Sequence, residues 1–423
     1  MKICVLGLGY IGLPTAAMFA THGYKVAGVD INNRIVESLN AGEVYIEELG
    51  LGALVHDAIE NGNLTGKNKP EESDVFIICV PTPLARENKK ADLSYVIEAA
   101  ESIVPFLRKD NLVILESTVP PGTTLGVLIP ILEKSGLKAG NDFYVAHCPE
   151  RVLPGNILKE IVENYRMIGG IDEKSSSQAK EIYKSFVKGK IIIIDSTTAE
   201  FVKLLENTYR DVNIALANEV AKISESIGVN VWDAIKLANE HPRVHLHYPG
   251  PGVGGHCIPI DPWFIYEKAP EMAKLIKTAR EINNSMPHYV VNVVNSLMKK
   301  NEKKKIAVLG VTYKANVDDT RESPAIEIIR LLKEKGYTVA VHDPKTENFV
   351  YPLTTLDNAI NNANCLLILV DHDDFKKLDP ASVGKKMRSK IVIDTRNCID
   401  KNMWMREGFK CRVLGESCSG VRE

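Results

Sequence analysis

KICVLGLGYIG, residues 2–12, and KVAGVD, residues 25–30, settle the class of this chain. Lys2 to Leu6 reads as a short apolar strand running into GLGYIG, which sets Gly7, Gly9 and Gly12 in the G-x-G-x-x-G spacing. An apolar helical pattern follows, and a second strand ends on Asp30. Glycines in this context allow a tight turn and close approach of a pyrophosphate, whose charge the next helix N-terminus stabilises. Asp30 can accept from a ribose hydroxyl, and an acid there disfavours the extra phosphate of NADP, so the expected cofactor is NAD.

The next strands agree with a doubly wound α/β sheet. DVFIICVPTP at 74–83 and NLVILESTVPPGTT at 111–124 are apolar runs that end in polar turns. They set Thr82 and Thr118 at carboxyl ends, where such sheets bind ligands. FYVAHCPERVLPG at 143–155 ends in the same way, which makes Glu150 and Arg151 site candidates, with a solvated loop as the plain alternative.

Composition bounds the rest. The chain has 423 residues, 45% hydrophobic, and a formal net charge of -2. That is material for two or three cores, and it carries no basic stripe that would point to nucleic acid. No apolar run reaches membrane-spanning length and no leader pattern opens the sequence, so a cytoplasmic protein without a membrane partner is expected. Eight cysteines show no C-x-x-C pair, and no metal site is expected. Cys4, Cys79 and Cys365 lie in apolar runs and read as core residues.

From Thr197 the period becomes helical. Thr197 and Glu200 have capping-box spacing, and Gly228 stands where a helix ends. Phe201, Leu204, Leu205, Val212, Leu216 and Ile223 form an apolar side, opposite a stripe of Lys203, Asn207 and Arg210. A charged stripe opposite a core face usually faces solvent, and Ile214, which extends the stripe, leaves a covered face as the alternative. NEHPRV at 239–244 brings His241 and Arg243, and leads into YPGPGVGGHCIPIDPW at 248–263. Glycines 250, 252, 254 and 255 let backbone approach a ligand closely. Cys257 can attack a carbonyl carbon if a cation holds it as thiolate, and Asp261 is a possible base. A second long helix follows, with apolar positions at Ile282, Met286, Val290, Val293 and Leu297, and the charged run Lys299–Lys305 reads as a linker.

After that run the sequence starts again. KIAVLGVTY echoes KICVLGLGY, TVAVHDP echoes KVAGVDI, and KIVIDTRN echoes NLVILEST. In place of the glycine cradle stands VTYKANVDDTRESP, with Lys314 and Arg321, while Arg396 ends a later strand on the same side. Cations there suit a second anionic ligand, against the plainer alternative of a surface ion network. The expected architecture is two Rossmann-like doubly wound domains joined by a long central helix and a helical middle domain. The expected boundaries are 1–196 for NAD binding, 197–300 for the central helical part and 301–423 for the part that takes the second anionic ligand.

In order, GLGYIG, CVPTP, STVPPGTT, the CPER turn, the Lys203 and Asn207 helix, PGPGVGGHCIPIDPW and TYKANVDDTRESP resemble the nucleotide-sugar 6-dehydrogenases over nearly the whole chain. HPRV before PGPGVGGHCI, with DPWF after it, is most similar to the branch that acts on UDP-N-acetyl-D-mannosamine. UDP-N-acetylglucosamine and UDP-glucose 6-dehydrogenases are the alternatives. The resemblance implies a four-electron oxidation of the sugar's primary alcohol to a carboxylate by two NAD in succession, through a thiohemiacetal and a thioester on Cys257. By the same resemblance Lys203 transfers protons, Asn207 donates to the reacting oxygen, and Asp261 or Glu150 activates water.

It further implies that Tyr10, Ile11, Asp30, Arg34, Thr82 and Thr118 line the NAD site with the glycines. The UDP-sugar would be held by Arg151, Val152, Lys203, Asn207, Arg210, His241, Arg243, Gly254, Tyr313, Lys314, Arg321 and Arg396. In relatives the arginine matching Arg243 reaches across from a neighbouring subunit, and the implied assembly is a homodimer on the long helix or a higher homo-oligomer. Two readings of other kinds compete: a two-electron hydroxyacid dehydrogenase, in which Cys257 is incidental, and a non-catalytic NAD-binding module.

Overall fold

The computed structural model describes residues 1–46, 48–85, 87–152, 155–298 and 304–416. The chain divides into two compact units, Met1–Glu206 with Trp263–Pro270, and Asn207–Pro262 with Glu271–Glu423. Of the charged run Lys299–Lys305, residues 299–303 lie outside the described residues, as does Cys418.

In the first unit the strands are β1 (Lys2–Leu6), β2 (Lys25–Val29), β3 (Leu64–Lys67), β4 (Val75–Ile78), a short hairpin of β5 (Leu84–Ala85) and β6 (Lys90–Ala91), β7 (Leu112–Leu115), β8 (Tyr144–His147), β9 (Arg166–Gly170) and β10 (Ile191–Asp195). Among the described residues eight of them form one sheet in the order β10-β9-β8-β7-β4-β1-β2-β3. It is parallel from β3 to β8, whereas β9 runs antiparallel to β8 and carries β10 with it. The reversed pair is an element that the sequence reading did not identify. Alternate residues of β1 enter different cores: Ile3 and Val5 one, Cys4 and Leu6 the other. Both faces of the sheet are therefore covered, which is why its strands read as unbroken apolar runs.

The second unit repeats the plan with β11 (Lys305–Leu309), β12 (Thr338–His342), β13 (Cys365–Ile368), β14 (Ile391–Asp394) and β15 (Lys410–Val413), all parallel, in the order β12-β11-β13-β14-β15. Ile306 and Val308 face one core, Ala307 and Leu309 the other. The repeat extends to single hydrogen bonds. Gly7 N–H donates to the Val29 carbonyl at 2.8 Å, and Gly310 N–H to the His342 carbonyl at 2.9 Å. Leu8 N–H donates to Asp30 at 3.0 Å, and Val311 N–H to Asp343 at 2.6 Å.

The central helix, Ser196–Ile227, has 32 residues, or about 48 Å at 1.5 Å per residue. It ends at Gly228, whose φ of 84° is the left-handed conformation expected there. Its start corrects the sequence reading, because the cap is Asp195, which accepts from Thr198 N–H at 2.8 Å. Glu200 serves the turn after β7 instead, accepting from Gly122 N–H, Thr124 N–H and the Thr124 hydroxyl at 2.5–2.7 Å.

The faces are reversed as well. Of the six apolar positions only Leu204 is buried; Phe201, Leu205, Leu216 and Ile223 are exposed, joined by Tyr209 and Ile227. The polar side is the covered one, with Asn207, Asp211 and Asn218 buried. Those groups can be buried because Asp211 and Asn218 pair with Arg280 and Asn283 of the helix Lys274–Leu297, and Asn207 pairs with Asp261. That second helix buries Met286, Val290 and Val294 together with Arg280 and Asn283.

Candidate functional site

In the first unit the turn after β1 is shaped for a diphosphate. A Cβ on Gly7 would lie 2.7 Å from the Cys79 carbonyl oxygen, and one on Gly12 would lie 1.8 Å from that of Gly7. One on Gly9 would meet nothing within 4 Å. The outer two glycines therefore let backbone and helix close up, and the middle one leaves open room at the helix start, which fits a dinucleotide. Asp30 ends β2 and accepts from the amides of Leu8 and Asn32 at 3.0 and 2.9 Å. Tyr10 and Arg34 are exposed and Ile11 half-buried around this turn. Thr82 and Thr118 meet at the carboxyl ends of β4 and β7, where the Thr82 hydroxyl donates to the Thr118 carbonyl at 2.6 Å.

Behind this rim lies a buried network that the sequence reading missed. Arg166 on β9 pairs with Glu116 and, at 2.6 Å, with Glu150, while its guanidinium stacks 3.9 Å from the centre of the Tyr183 ring. Glu116 also accepts from the Tyr183 hydroxyl at 2.5 Å and the Cys79 thiol at 3.1 Å. Burial raises the Glu116 pKa, against the opposing pull of Arg166. Glu150 thus points inward, with its other oxygen accepting from Arg151 N–H at 2.8 Å. Arg151 itself stacks over Tyr165 at 3.6 Å and pairs with Glu206 at 3.3 Å, and Val152 packs against the core. The sequence reading names Glu150, Arg151 and Val152 as site residues and Cys79 as core but not Glu116, Arg166 or Tyr183, because ion pairs between distant strands leave no periodic trace.

His147, at the end of β8, was also missed. It is fully buried, and neither ring nitrogen makes a hydrogen bond of normal geometry. Burial, assisted by the charge of Lys203, pushes its imidazole down to about 3, although the Leu115 carbonyl favours the charged ring. The ring is neutral at pH 7. Lys203, half-buried, belongs to this first unit.

The second unit holds Cys257. The thiol is exposed, on a loop whose glycines have a different use from the one expected. A Cβ on Gly250 would lie 2.5 Å from the Arg396 guanidinium, one on Gly252 3.0 Å from Pro324, and one on Gly254 2.7 Å from Tyr313. The loop therefore packs on the protein's own β11 and β14 turns, and Gly255 N–H donates to the Arg321 carbonyl at 3.0 Å. Its far end is Asp261, buried, which accepts from the Asn207 amide at 2.5 Å. Arg210 donates to the other end of that amide.

Beside the loop is a cavity of 290 Å³ lined by Pro251, Gly252, Tyr313, Lys314, Asp371 and Arg396 among others. Arg396 reaches Asp371 at 3.0 Å and the Pro249 carbonyl at 3.4 Å. Arg321 stands outside this lining, in a two-pronged pair with Asp319 at 2.6–3.1 Å. His241 and Arg243 are exposed and do not line it.

Under the cavity, fully buried His372 accepts from Asn316 N–H at 2.9 Å on Nδ1, so Nε2 carries the proton toward Asp343, 3.1 Å away. Asp343 was legible as the counterpart of Asp30, but its histidine partner was not. The seat that would hold a ribose in the first unit is filled by protein in the second.

Three domain models of one family cover the sequence: the NAD binding domain of the UDP-glucose/GDP-mannose dehydrogenase family matches residues 1–187, its central domain 197–285 and its UDP binding domain 307–401. A UDP-N-acetyl-D-mannosamine dehydrogenase of Methanococcus maripaludis is 56% identical, over 98% of this chain and 97% of its own length. A solved UDP-D-ManNAc dehydrogenase from Pyrococcus horikoshii superposes with a TM-score of 0.92 at 44% identity, covering 98% of this chain and 99% of that one. The UDP-N-acetyl-mannosamine dehydrogenase of Staphylococcus aureus does so at 0.90 and 46%, covering 98% and 99%. With its glycine turn, the cavity of its second unit and this extent of likeness, the chain belongs to the UDP-glucose/GDP-mannose dehydrogenase family.

Proposed function

We propose that this protein catalyses the NAD-dependent, four-electron oxidation of UDP-N-acetyl-D-mannosamine to UDP-N-acetyl-D-mannosaminuronate. The observation that carries the reading is a thiol on a loop seated against a cation-lined cavity, in a chain whose other sheet offers a dinucleotide turn. Relatives that share about half of its residues over nearly its full length carry this name.

NAD, when bound, accepts hydride from the sugar's C6. The rest falls to the chain. The Cys257 thiolate adds to the aldehyde carbon, forming a C–S bond; the thiohemiacetal so formed would give up a second hydride to a second NAD to become a thioester, which Cys257 holds until water displaces the sulfur as thiolate. Lys203 takes the alcohol proton and steadies the developing oxyanion, Asn207 donates to the same oxygen, and Asp261 and Glu150 are the two carboxylates in line to activate water. One alcohol, two NAD and one water give one carboxylate, two NADH and three protons, so the electrons balance.

In this reading residues 1–196 hold NAD, 197–300 form the central part and 301–423 hold UDP. Lys314, Tyr313 and Arg396 face the nucleotide, while Arg151, Val152, Arg210, His241, Gly254 and Arg321 complete the sugar side. Arg243 serves a neighbouring subunit's site. The exposed apolar stripe of the central helix supports a homodimer, and the setting is the cytoplasm, where free thiols persist.

Incubation with NAD and a panel of UDP-hexoses and their N-acetyl forms tests the proposal. UDP-N-acetyl-D-mannosamine should yield a uronate by mass and two NADH per sugar. One NADH per sugar, or preference for UDP-glucose or UDP-N-acetylglucosamine, would replace it with one of the alternatives.

A further inference from the structure

The buried polar side of the central helix continues past Asn207 in a direction that the chemistry does not explain. Asp211 and Asn218 follow Asn207 by four and eleven residues on one face, and all three are buried. Asn207 binds Asp261, the last residue of the loop that carries Cys257. Asn218 binds its first, because Gly250 N–H donates to Asn218 Oδ1 at 2.9 Å. The two ends of the loop are thus fixed to points about 16 Å apart on one rod. Twelve residues can span more than twice that distance. The slack means that the loop's seat depends on where its ends are pinned.

The Asn218 anchor is itself the end of a directed chain. Asp211, paired with Arg280 at 2.5 Å, can only accept, so the Asn283 amide donates to it, at 2.8 Å to the side chain and 3.0 Å to the backbone carbonyl. Asn283 therefore presents its oxygen to Asn218, whose NH2 donates at 2.9 Å. That leaves Asn218 Oδ1 turned toward Gly250. Each amide has one orientation consistent with the charge at the far end, so the loop receives an acceptor at a fixed place. Gly250 lies against Arg396, and the next two residues, Pro251 and Gly252, line the cavity.

We propose that Asn218 and Asn283 are positioning residues that set the wall of the cavity formed by Pro251 and Gly252 by pinning Gly250. The inference rests on the reading of that cavity as the nucleotide-sugar site. In the full-length enzyme, Asn218→Ala should raise the KM for UDP-N-acetyl-D-mannosamine roughly five- to tenfold, the equivalent of one buried hydrogen bond, with the KM for NAD within about twofold of wild type. Asn283→Ala should act in the same direction. A role confined to stability would lower the melting temperature and the active fraction and leave both KM values alone.

Hydrogen exchange on the wild-type enzyme gives a second readout if the variants do not fold. The Gly250 amide should exchange at least about a hundredfold slower than that of exposed His245 in the same segment. An unchanged sugar KM, equal rises in both KM values, or a Gly250 amide exchanging like His245 overturns the anchor alone. A wild-type enzyme that oxidises no UDP-sugar overturns the function reading and, with it, this role.

Discussion

In the proposed reaction Cys257 carries the chemistry and little of the fold: its side chain is exposed and lies in neither unit's core. Cys257→Ala should therefore cut uronate formation by about a thousandfold or more while leaving the dissociation constant for NAD within about twofold. Single-turnover kinetics with a cofactor titration would show it, and near-normal turnover would remove the covalent step. His147 is the opposite case, a buried group that touches stability. Its folded pKa of about 3 lies below the ordinary 6.5, so the unfolded chain holds the extra proton between those values. Its share of stability is complete above about pH 6.5 and is lost toward pH 3, by up to about 1.4 kcal/mol per pH unit. His147→Leu, which removes the titrating ring, should flatten that slope in urea titrations from pH 7 to 4 and change little at pH 7. The sequence showed the thiol plainly, because a glycine-rich loop announces itself. It did not show His147, whose character comes from what surrounds it.

At the scale of the element, the central helix shows where reading by period succeeds and where it fails. Its length and its end at Gly228 were legible, since helical spacing and a terminal glycine are local signals. Which face is inside was not, because the usual rule assigns the apolar stripe to the core. Here the buried side is polar and paid for by pairing. Phe201, Leu205, Tyr209, Leu216, Ile223 and Ile227, all exposed, fall within an arc of about 80° at 100° per residue. Glu219 lies on the same arc and is exposed, near Lys222. If the proposed homodimer forms on this stripe, Leu216→Asp should shift it toward monomer in sedimentation velocity at micromolar concentration, raising the dissociation constant by about a hundredfold or more. A variant that sediments as wild type would move the interface elsewhere. The capping box at Thr197 and Glu200 was misread for a similar reason: the acid has the right spacing but a better set of donors at Gly122 and Thr124.

Across the whole molecule, the internal echo was the strongest signal in the sequence, and it holds down to equivalent amide bonds at Asp30 and Asp343. The two α/β sheets, their parallel strands and the cation-bearing second turn follow from it. The reversed β9 and β10 have no counterpart in the repeat and were not legible. Division of ligands between the halves gives a direct test: Lys314→Met should weaken UDP binding roughly tenfold, as expected for one charge-assisted contact, with NAD binding unaltered in paired calorimetric titrations. Equal loss for both ligands would show that the lysine supports the fold rather than the nucleotide.

The imidazole of His372 sets the two halves apart. A side chain from a neighbouring strand turn occupies the acid whose counterpart in the first half is read as a ribose acceptor, so the second acid is not free for a ligand. Removing the ring would take one donor from a buried carboxylate, and removing the carboxylate would leave the main-chain amides of Val311, Thr312 and Lys345 without that acceptor. Engineering aimed at a second cofactor in the carboxyl-terminal copy would therefore have to exchange at least two positions at once.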